Sequence, residues 1–237
     1  MSKLTLSTDQ QTVLDQVMAW IDAPVGDYLT IGGYAGTGKT TLTAFIRQEI
    51  FNKSPLLKIA FCSYTGKAAR NLEEKLRENK AIFSGDSVST IHSLIYTAIT
   101  NKQGNITGWK RRDFMDADLI IVDEASMVDP FILNDLLSYD VPIVAVGDHG
   151  QLPPIGTNYS LMQSPHLTLT QIHRQEEDSP IIDVSILART SGEIPVKKFG
   201  SGVIKISRND PDSREILNEA LESFNEETLI ICGYNAT

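Results

Sequence analysis

The chain has 237 residues, 41% hydrophobic and 22% charged, a composition that allows one large folded core and at most part of a second. No apolar run approaches the roughly 20 residues that span a bilayer, and the N-terminal MSKLTLSTDQ lacks the apolar core of a signal peptide, so we exclude a membrane protein and predict a cytoplasmic one. The net charge of −9 is a whole-chain average and does not exclude a nucleic-acid partner, because basic residues cluster locally, as in KRR at 110–112.

The first motif in the chain is GYAGTGKT at 33–40, which lies between a β-prone run at 28–31 and apolar residues at helical spacing. It fits the pattern G-x-x-x-x-G-K-[ST], in which backbone N–H groups surround a phosphate, the lysine reaches the outer phosphates and the hydroxyl binds Mg²⁺. We therefore predict an ATP site with Mg²⁺ on Thr40 and a catalytic Lys39. The predicted nucleotide contacts are Gly33, Ala35, Gly36, Thr37, Gly38, Lys39, Thr40 and Thr41.

Apolar, strand-like runs then alternate with helical stretches along the chain. The runs are KIAFCSYT (58–65), LIIVDEA (119–125), IVAVGD (143–148) and LTLT (167–170), with helices expected at 67–78 and 130–137. Continuous Val, Ile and Leu runs indicate parallel strands that are buried on both faces. This alternation of strands and helices predicts an α/β fold with a doubly wound parallel sheet. Cys62 and Cys232 lie in such runs, where buried reduced thiols are expected.

A pair of carboxylates, Asp123 and Glu124, ends the run LIIVDEA. In open α/β sheets, ligands bind at the carboxyl ends of the strands. An isolated acidic pair could equally be a helix-capping turn, but the phosphate-binding motif about 85 residues upstream favours function. We predict that Asp123 holds Mg²⁺ together with Thr40, and that Glu124 orients and deprotonates the attacking water.

The loop GDHGQLPPIG (147–156) follows the next strand-like run. Its two adjacent prolines fix φ and stiffen the segment that carries Gln151. A stiff loop with an amide at its tip suits a sensor of the γ-phosphate. We therefore include Gln151 among the catalytic residues.

Taken together, the motifs resemble those of superfamily 1B DNA helicases of the RecD and phage Dda kind. The match extends from about Leu6 to Pro195 and includes, in order, Gln10, GYAGTGKT, SYTGKAAR, STIHSLI, DEAS, GDHGQLPPIG and LTQIHRQ. The resemblance implies a RecA-like P-loop NTPase that uses ATP and Mg²⁺ to move 5′ to 3′ along single-stranded DNA and to unwind duplex forks. It also implies a monomer that acts in DNA replication, repair or recombination, with proteins of those processes as partners.

Two further residues of the nucleotide site are implied by the resemblance alone. Gln10 matches the family's adenine-reading glutamine, whose amide can pair bidentately with adenine. Arg174 matches an arginine that reaches the γ-phosphate and stabilises the transition state.

The resemblance also implies contacts with the DNA strand. Family motifs that lie along the strand match Thr65 and Lys67 in SYTGKAAR, and Ser89, Thr90 and His92 in STIHS. Hydroxyls and backbone amides there are expected to bind phosphates. Without the resemblance, His92 would be read as a core histidine.

Residues 94–112 contain two β-prone runs around the polar turn KQGN, and they resemble the small inserted hairpin of the family. An arm of about six residues extends ~20 Å, enough to meet a fork. Trp109 could stack on a base while Lys110, Arg111 and Arg112 bind phosphates. The alternative, that Trp109 packs the hairpin onto the core, stays open.

The predicted first motor domain covers residues 1–195, and residues 196–237 contain only the start of a second one, with a strand expected in TLIICGYNAT. Motors of this superfamily need two such domains. We therefore expect the chain to be the N-terminal part of a longer protein, or else an incomplete gene product. An ATP-dependent DNA-binding switch and a P-loop phosphotransferase remain as alternative functions.

Overall fold

The computed structural model describes residues 5–154, 156, 159–171, 179–225 and 228–229. The chain divides into two compact units, Met1–Arg174 and Gln175–Thr237, and the predicted domain boundary at residue 195 stays a prediction. In chain order the first unit contains α1 (Thr8–Asp22), β1 (Tyr28–Gly33), α2 (Lys39–Lys53), β2 (Ile59–Ser63), α3 (Gly66–Glu78), β3 (Ser87–Thr90), α4 (Ile91–Ile95), β4 (Tyr96–Thr100), β5 (Ile106–Arg111), β6 (Leu119–Asp123), α5 (Pro130–Leu137), β7 (Ile143–Gly147) and β8 (Leu167–Leu169).

The centre of this unit is a six-stranded sheet in the order β3-β2-β6-β7-β1-β8, in which every pairing is parallel. All residues of β2, β6 and β7 are buried. Parallel strands place their carboxyl ends at one edge, which therefore collects the residues that follow β1, β2, β6 and β7. The predicted RecA-like, doubly wound sheet is confirmed.

The two faces of the sheet carry separate hydrophobic clusters. Alternate residues such as Phe61 and Ile121 pack with α1, α2 and α3 on one face, whereas Cys62 and Val122 pack with α4 and α5 on the other. This alternation is the period of two expected for strands. Cys62 is a free, buried thiol as predicted, and burial raises its pKa; Cys232 lies outside the described residues.

A buried ion pair fixes α2 to the end of the sheet. The Arg47 guanidinium donates to both carboxylate oxygens of Asp86, at 2.8 and 3.1 Å, and both side chains are fully buried. Asp86 also accepts from the backbone N–H of Ile59 and of Phe83. Removing one partner of such a pair typically costs about 3–5 kcal/mol, because the other charge stays buried.

The predicted hairpin is present as a separate antiparallel pair, β4 with β5. It is shorter at its start than the predicted range 94–112, because Leu94 and Ile95 belong to helix α4. Ile95 is fully buried in the core, so the chain leaves the core only at Tyr96.

The second unit contains α6 (Pro180–Ser191), a short antiparallel ribbon formed by β9 (Lys198–Phe199) and β10 (Val203–Ile204), and α7 (Ser213–Glu222). The strand predicted in TLIICGYNAT lies outside the described residues, apart from Thr228 and Leu229, which are not in a strand. No described helix is both long and apolar enough to cross a membrane. The cytoplasmic location stays a prediction.

Candidate functional site

A cavity of about 510 Å³ opens at the carboxyl edge of the sheet. It brings together the loop after β1, the start of α2 and the segments that follow β6 and β7. The lining residues are Ala35, Gly36, Gly38, Lys39, Thr40, Thr41, Lys75, Asp123, Glu124, Asp148 and Gln151. Most of these residues are predicted site residues; Lys75 and Asp148 are not, and only the structure places them in the cavity.

The loop after β1 is compact, with two left-handed glycines and a hydrogen bond within the loop. Gly36 and Gly38 have φ of +88° and +78°, a left-handed conformation that glycine adopts without strain. Thr37 is fully buried, and its hydroxyl donates to the Tyr34 carbonyl at 2.9 Å. A Cβ at Gly33 would lie 2.6 Å from the Thr37 Oγ1. The glycines are therefore required by the shape of the loop.

Helix α2 begins without a side-chain cap, at the left-handed Gly38. By contrast, the side chains of Ser7, Thr65 and Asp129 cap the N-termini of α1, α3 and α5. An uncapped N-terminus leaves backbone N–H groups and the positive end of the helix dipole facing the cavity. This is the arrangement that binds a phosphate.

Lys39 is the cation closest to this loop. Its Nζ donates to the carbonyls of Gly33 at 2.7 Å and Tyr34 at 3.1 Å. Burial lowers the pKa of Lys39, while the charges of Asp148, Glu124 and Asp123 act in the opposite direction. The Lys39 ammonium and these three carboxylates therefore line the same cavity.

The two carboxylates after β6 have different environments. Asp123 is buried at 7% exposure, and desolvation, followed by the Glu124 charge, raises the pKa of Asp123 to about 6. Glu124 has φ of +55° and ψ of +41°, an αL conformation that costs a non-glycine residue about 1–3 kcal/mol. Such strain is typical of functional sites.

Gln151 lies beside Glu124, on the loop after β7. Its Nε2 donates to the Glu124 Oε2 at 3.3 Å, and the Ser126 hydroxyl donates to its Oε1 at 2.6 Å. The amide therefore bridges the loop after β7 and the segment after β6. Ser126 is not among the predicted site residues, although its position two residues after the acidic pair is a usable signal.

Gln10 lies directly against the phosphate-binding loop. Its Nε2 donates to the Thr37 carbonyl at 3.1 Å, and its Oε1 accepts from the Ser7 backbone N–H at 3.1 Å. One N–H and one lone pair of the amide remain for a ligand. Adenine recognition by Gln10 stays a prediction.

The neighbouring Asp9 joins α1 to the segment after β8. Its Oδ2 accepts from the backbone N–H of Thr170 at 2.8 Å and of Gln171 at 3.1 Å. That segment leads towards Arg174, which lies outside the described residues. Asp9 therefore holds the segment after β8 against the start of α1.

The predicted DNA contacts after β2 and β3 lie on adjacent strands at the same edge of the sheet. Thr65 caps α3 by accepting from the Ala68 N–H, and Thr90 caps α4 by accepting from the Ser93 N–H. Lys67 is exposed. Ser89 donates to the Thr90 carbonyl at 3.1 Å. DNA binding by these residues stays a prediction.

His92 is half-buried between two aromatic rings. Its ring centroid lies 6.1 Å from that of Tyr64 and 5.7 Å from that of Tyr96. The ring therefore connects the segment after β2 with the base of the hairpin. This packing resembles that of the core histidine in the alternative interpretation, and it leaves part of the ring exposed.

Three hairpin residues predicted to contact DNA differ in their exposure and in their side-chain partners. Trp109 is 54% exposed and is not among the described residues that form or pack against the two hydrophobic clusters; its stacking on a base and its packing against the core both stay predictions. Lys110 forms an exposed ion pair with Asp113 at 3.3 Å. Arg111 donates to the Ser138 hydroxyl at 2.6 Å and thereby helps to hold the base of the hairpin.

Comparison with known proteins adds an independent finding. A family model described as an AAA domain matches residues 16–157. The chain is 31% identical over 217 residues to the ATP-dependent RecD2 DNA helicase of Deinococcus radiodurans, covering 87% of this chain and 27% of that protein. It is 33% identical over 173 residues to the ATP-dependent DNA helicase dda of Enterobacteria phage T4, covering 67% of this chain and 37% of that protein.

The crystal structure of Pif1 helicase from Candida albicans is similar in fold. It matches with a TM-score of 0.50 at 22% identity and covers 94% of this chain and 56% of that chain. The chain therefore spans only about a quarter to somewhat more than a third of the length of the RecD2 and Dda relatives.

Proposed function

The chain belongs to the AAA domain family and to the RecD- and Dda-like helicases of superfamily 1B, and we propose that it is the first motor domain of an ATP-dependent DNA helicase. The proposal rests chiefly on one observation: Lys39, Asp123, Glu124 and Gln151 converge on a single cavity at the uncapped start of α2. Each of these four residues would supply one part of a site for phosphoryl transfer.

The residues of the cavity are suited to Mg²⁺-ATP. The described residues contain no cluster of three or more His, Cys, Asp or Glu that could hold a metal by itself. Mg²⁺ needs no such cluster, because it is usually held by one or two protein ligands together with substrate phosphates and water. Thr40 and Asp123 line the same cavity and would hold the ion. When bound, Mg²⁺ neutralises charge on the phosphates.

The chemical step we propose is attack of water on the γ-phosphorus of ATP, which forms a P–O bond to the water oxygen, breaks the bond to the oxygen that bridges the β- and γ-phosphates, and releases ADP and phosphate. Glu124 accepts the water's proton, and the Gln151 amide, held by Ser126, contacts the γ-phosphate and the nucleophile. Lys39 leaves its loop carbonyls to neutralise the transferring phosphoryl group. The predicted contact of Arg174 adds charge stabilisation in the transition state, and Gln10 reads the adenine.

The DNA part of the proposal concerns the carboxyl ends of β2 and β3. Thr65, Lys67, Ser89, Thr90 and His92 contact the phosphates of a single strand, and the hairpin meets the fork with Trp109, Lys110 and Arg111. In a protein that joins this domain to a second motor domain, coupling to ATP hydrolysis moves the motor 5′ to 3′ and separates the duplex. We further propose that it acts as a monomer in replication, repair or recombination, together with proteins of those processes.

The test is hydrolysis of ATP by the chain, measured by phosphate release with and without single-stranded oligonucleotide. We expect DNA to raise the rate, and Lys39→Ala to lower it by roughly 10² to 10³, the effect of losing one preorganised charge. Hydrolysis that DNA leaves unchanged would contradict a motor and favour an ATP switch. Transfer of the phosphate to a small acceptor would instead indicate a phosphotransferase.

A further inference from the structure

A second cavity lies beside the edge strand β3, away from the nucleotide. Its volume is about 480 Å³, and it shares no lining residue with the first cavity. It opens on the face of the sheet that carries α4, between that helix and the segment that follows β5. The residues that give it its chemical character are Ser87, Ser89, Ser93, Arg112, Phe114 and Asp116.

The cavity contains a cation that is free to bind a ligand. The Arg112 side chain is exposed, and it forms no hydrogen bond or ion pair with any residue that the structure describes. Asp116 is the acidic residue among those lining the cavity, and Lys58 neutralises it at 2.7 Å. An arginine in this setting presents a fork of N–H donors to an anion such as a phosphate.

The exposed ring of Phe114 lines the same cavity as Arg112, and its backbone is held in place. Phe114 is 75% exposed, whereas the following Met115 is only 8% exposed and packs in the core. The backbone N–H of Arg112 donates to the Ile95 carbonyl at 2.8 Å, so the segment is held on both sides of Phe114. A phenyl ring held in this way can act as a platform for stacking a base.

Serine hydroxyl groups of β3 and α4 also line the cavity. Ser87 and Ser89 alternate along β3 and therefore face the same side of the strand, and Ser93 follows from α4. Serine hydroxyls bind phosphate and sugar oxygens without reading sequence. The cavity thus combines a cation, a stacking surface and hydroxyl groups.

We propose that this cavity binds one nucleotide of the DNA strand, with Arg112 on its phosphate, Phe114 stacked on its base and the serines on its backbone. The inference rests on the proposed function and extends it. The cavity adjoins both predicted groups of DNA contacts, because Ser89 precedes Thr90 and Arg112 follows Arg111. A nucleotide bound here connects the strand path over β3 with the hairpin. An extended peptide would use the backbone edge of β3 and would need neither the arginine nor the ring.

The first test measures binding of a labelled oligothymidylate to the chain by fluorescence anisotropy over a range of salt concentrations. We expect Phe114→Ala to weaken binding about tenfold, within the range for loss of one stacked base. Arg112→Ala should weaken binding and reduce the salt slope by about one. The controls are Phe131→Ala, an equally exposed phenylalanine on α5, and Arg77→Ala, an exposed arginine near the end of α3; we expect both to bind like the parent.

The second test places 5-iodouracil at each position of the oligonucleotide in turn and maps the photo-crosslinked residue. We expect one position to crosslink to Phe114, and thermal melting should show that all the variants remain folded. If the parent binds DNA but neither the crosslink nor the loss in the variants appears, the nucleotide cavity is wrong while the proposed function stands. If the parent does not bind DNA, both are wrong. If the variants lose DNA binding but DNA does not stimulate ATP hydrolysis by the parent, the nucleotide cavity stands and the proposed motor function is wrong.

Discussion

Asp123 and Glu124 are adjacent in sequence, but their surroundings assign them different tasks. Asp123 ends a fully buried strand and is itself desolvated, so a cation is the partner that compensates its charge. Glu124 sits in a left-handed turn and is bonded to Gln151, beside the loop that would sense the γ-phosphate. One residue of difference therefore separates the proposed metal ligand from the proposed base.

We predict that Glu124→Gln retains Mg²⁺-ATP binding and loses turnover by roughly 10² to 10⁴, because the amide preserves the shape but cannot accept a proton. Asp123→Asn should instead weaken metal-dependent nucleotide binding. Titration with a fluorescent ATP analogue, with and without Mg²⁺, and phosphate release separate the two effects, and the exposed Asp22→Asn serves as the control. Equal loss of binding in both variants would show that the division of roles is wrong.

Asp9 holds the segment after β8 through two backbone hydrogen bonds. We expect Asp9→Ala to lower kcat roughly tenfold or more with little change in KM for ATP, because it frees the segment that leads to Arg174, and small misplacements near a reacting group are costly. Asp9→Asn keeps an acceptor oxygen and should restore most of the rate. If Asn and Ala lower kcat equally, or if KM alone changes, Asp9 does not position that segment.

The β4–β5 hairpin is attached to the rest of the first unit by contacts at its base. The Tyr96 hydroxyl donates to Asp135 on α5, and the Tyr139 hydroxyl lies 2.9 Å from the carbonyls of Ile95 and Arg112. These contacts lie at the base, while the residues of β5 near the tip are exposed. A fixed base with a free tip suits an arm that meets a fork.

We predict that Tyr96→Phe loosens the hairpin, costs about 1–2 kcal/mol of stability at neutral pH and speeds amide exchange in β4 and β5. Burial, together with the hydrogen bond to Asp135, raises the pKa of Tyr96 to about 12. A phenol whose pKa is raised by folding adds stability below its unfolded pKa of about 10, and loses that stability as the pH rises from 10 to 12.

The difference in unfolding free energy between parent and variant should therefore be constant from pH 7 to 9 and shrink above pH 10. Tyr64→Phe is the matched control, because its hydroxyl forms no hydrogen bond with a residue that the structure describes. A constant difference up to pH 11.5 would show that the phenol does not titrate with the fold.

The chain, which we propose to be one motor domain, should not move along DNA by itself. Movement along DNA requires two domains that close on ATP and reopen after hydrolysis, each holding the strand in turn. We expect the 237-residue chain to bind single-stranded DNA weakly and with strong salt dependence, to hydrolyse ATP slowly and to unwind nothing.

A strand-displacement assay on a duplex with a 5′ single-stranded tail checks this prediction. It should be run on this chain and on a longer protein that includes the second domain, with a 3′-tailed duplex as the control for direction. Unwinding by the chain alone would contradict the two-domain requirement. If the longer protein does not unwind either substrate, the ATP switch is favoured.

Local features of this protein could be predicted from sequence because they depend on neighbouring residues. The loop at 33–40 was recognisable because its glycines and lysine act within one turn, and β2, β6 and β7 because continuous apolar runs are typical of parallel strands that are buried on both faces. The helices predicted at 67–78 and 130–137 are present as α3 and α5. The ends of these strands also placed Asp123 and Glu124 at the edge where ligands bind.

Other features were decided by the tertiary structure, since they join segments that are far apart in the chain. Gln10 meets Thr37 across 27 residues and Asp9 meets Thr170 across 161, and the buried pair of Arg47 with Asp86 spans 39. No local pattern signals such partners, because a hydrogen bond depends on strand register and helix packing to within a few tenths of an ångström. The cavity beside β3 exists for the same reason: its serines, arginine and phenylalanine come from three segments that only the folded sheet brings together.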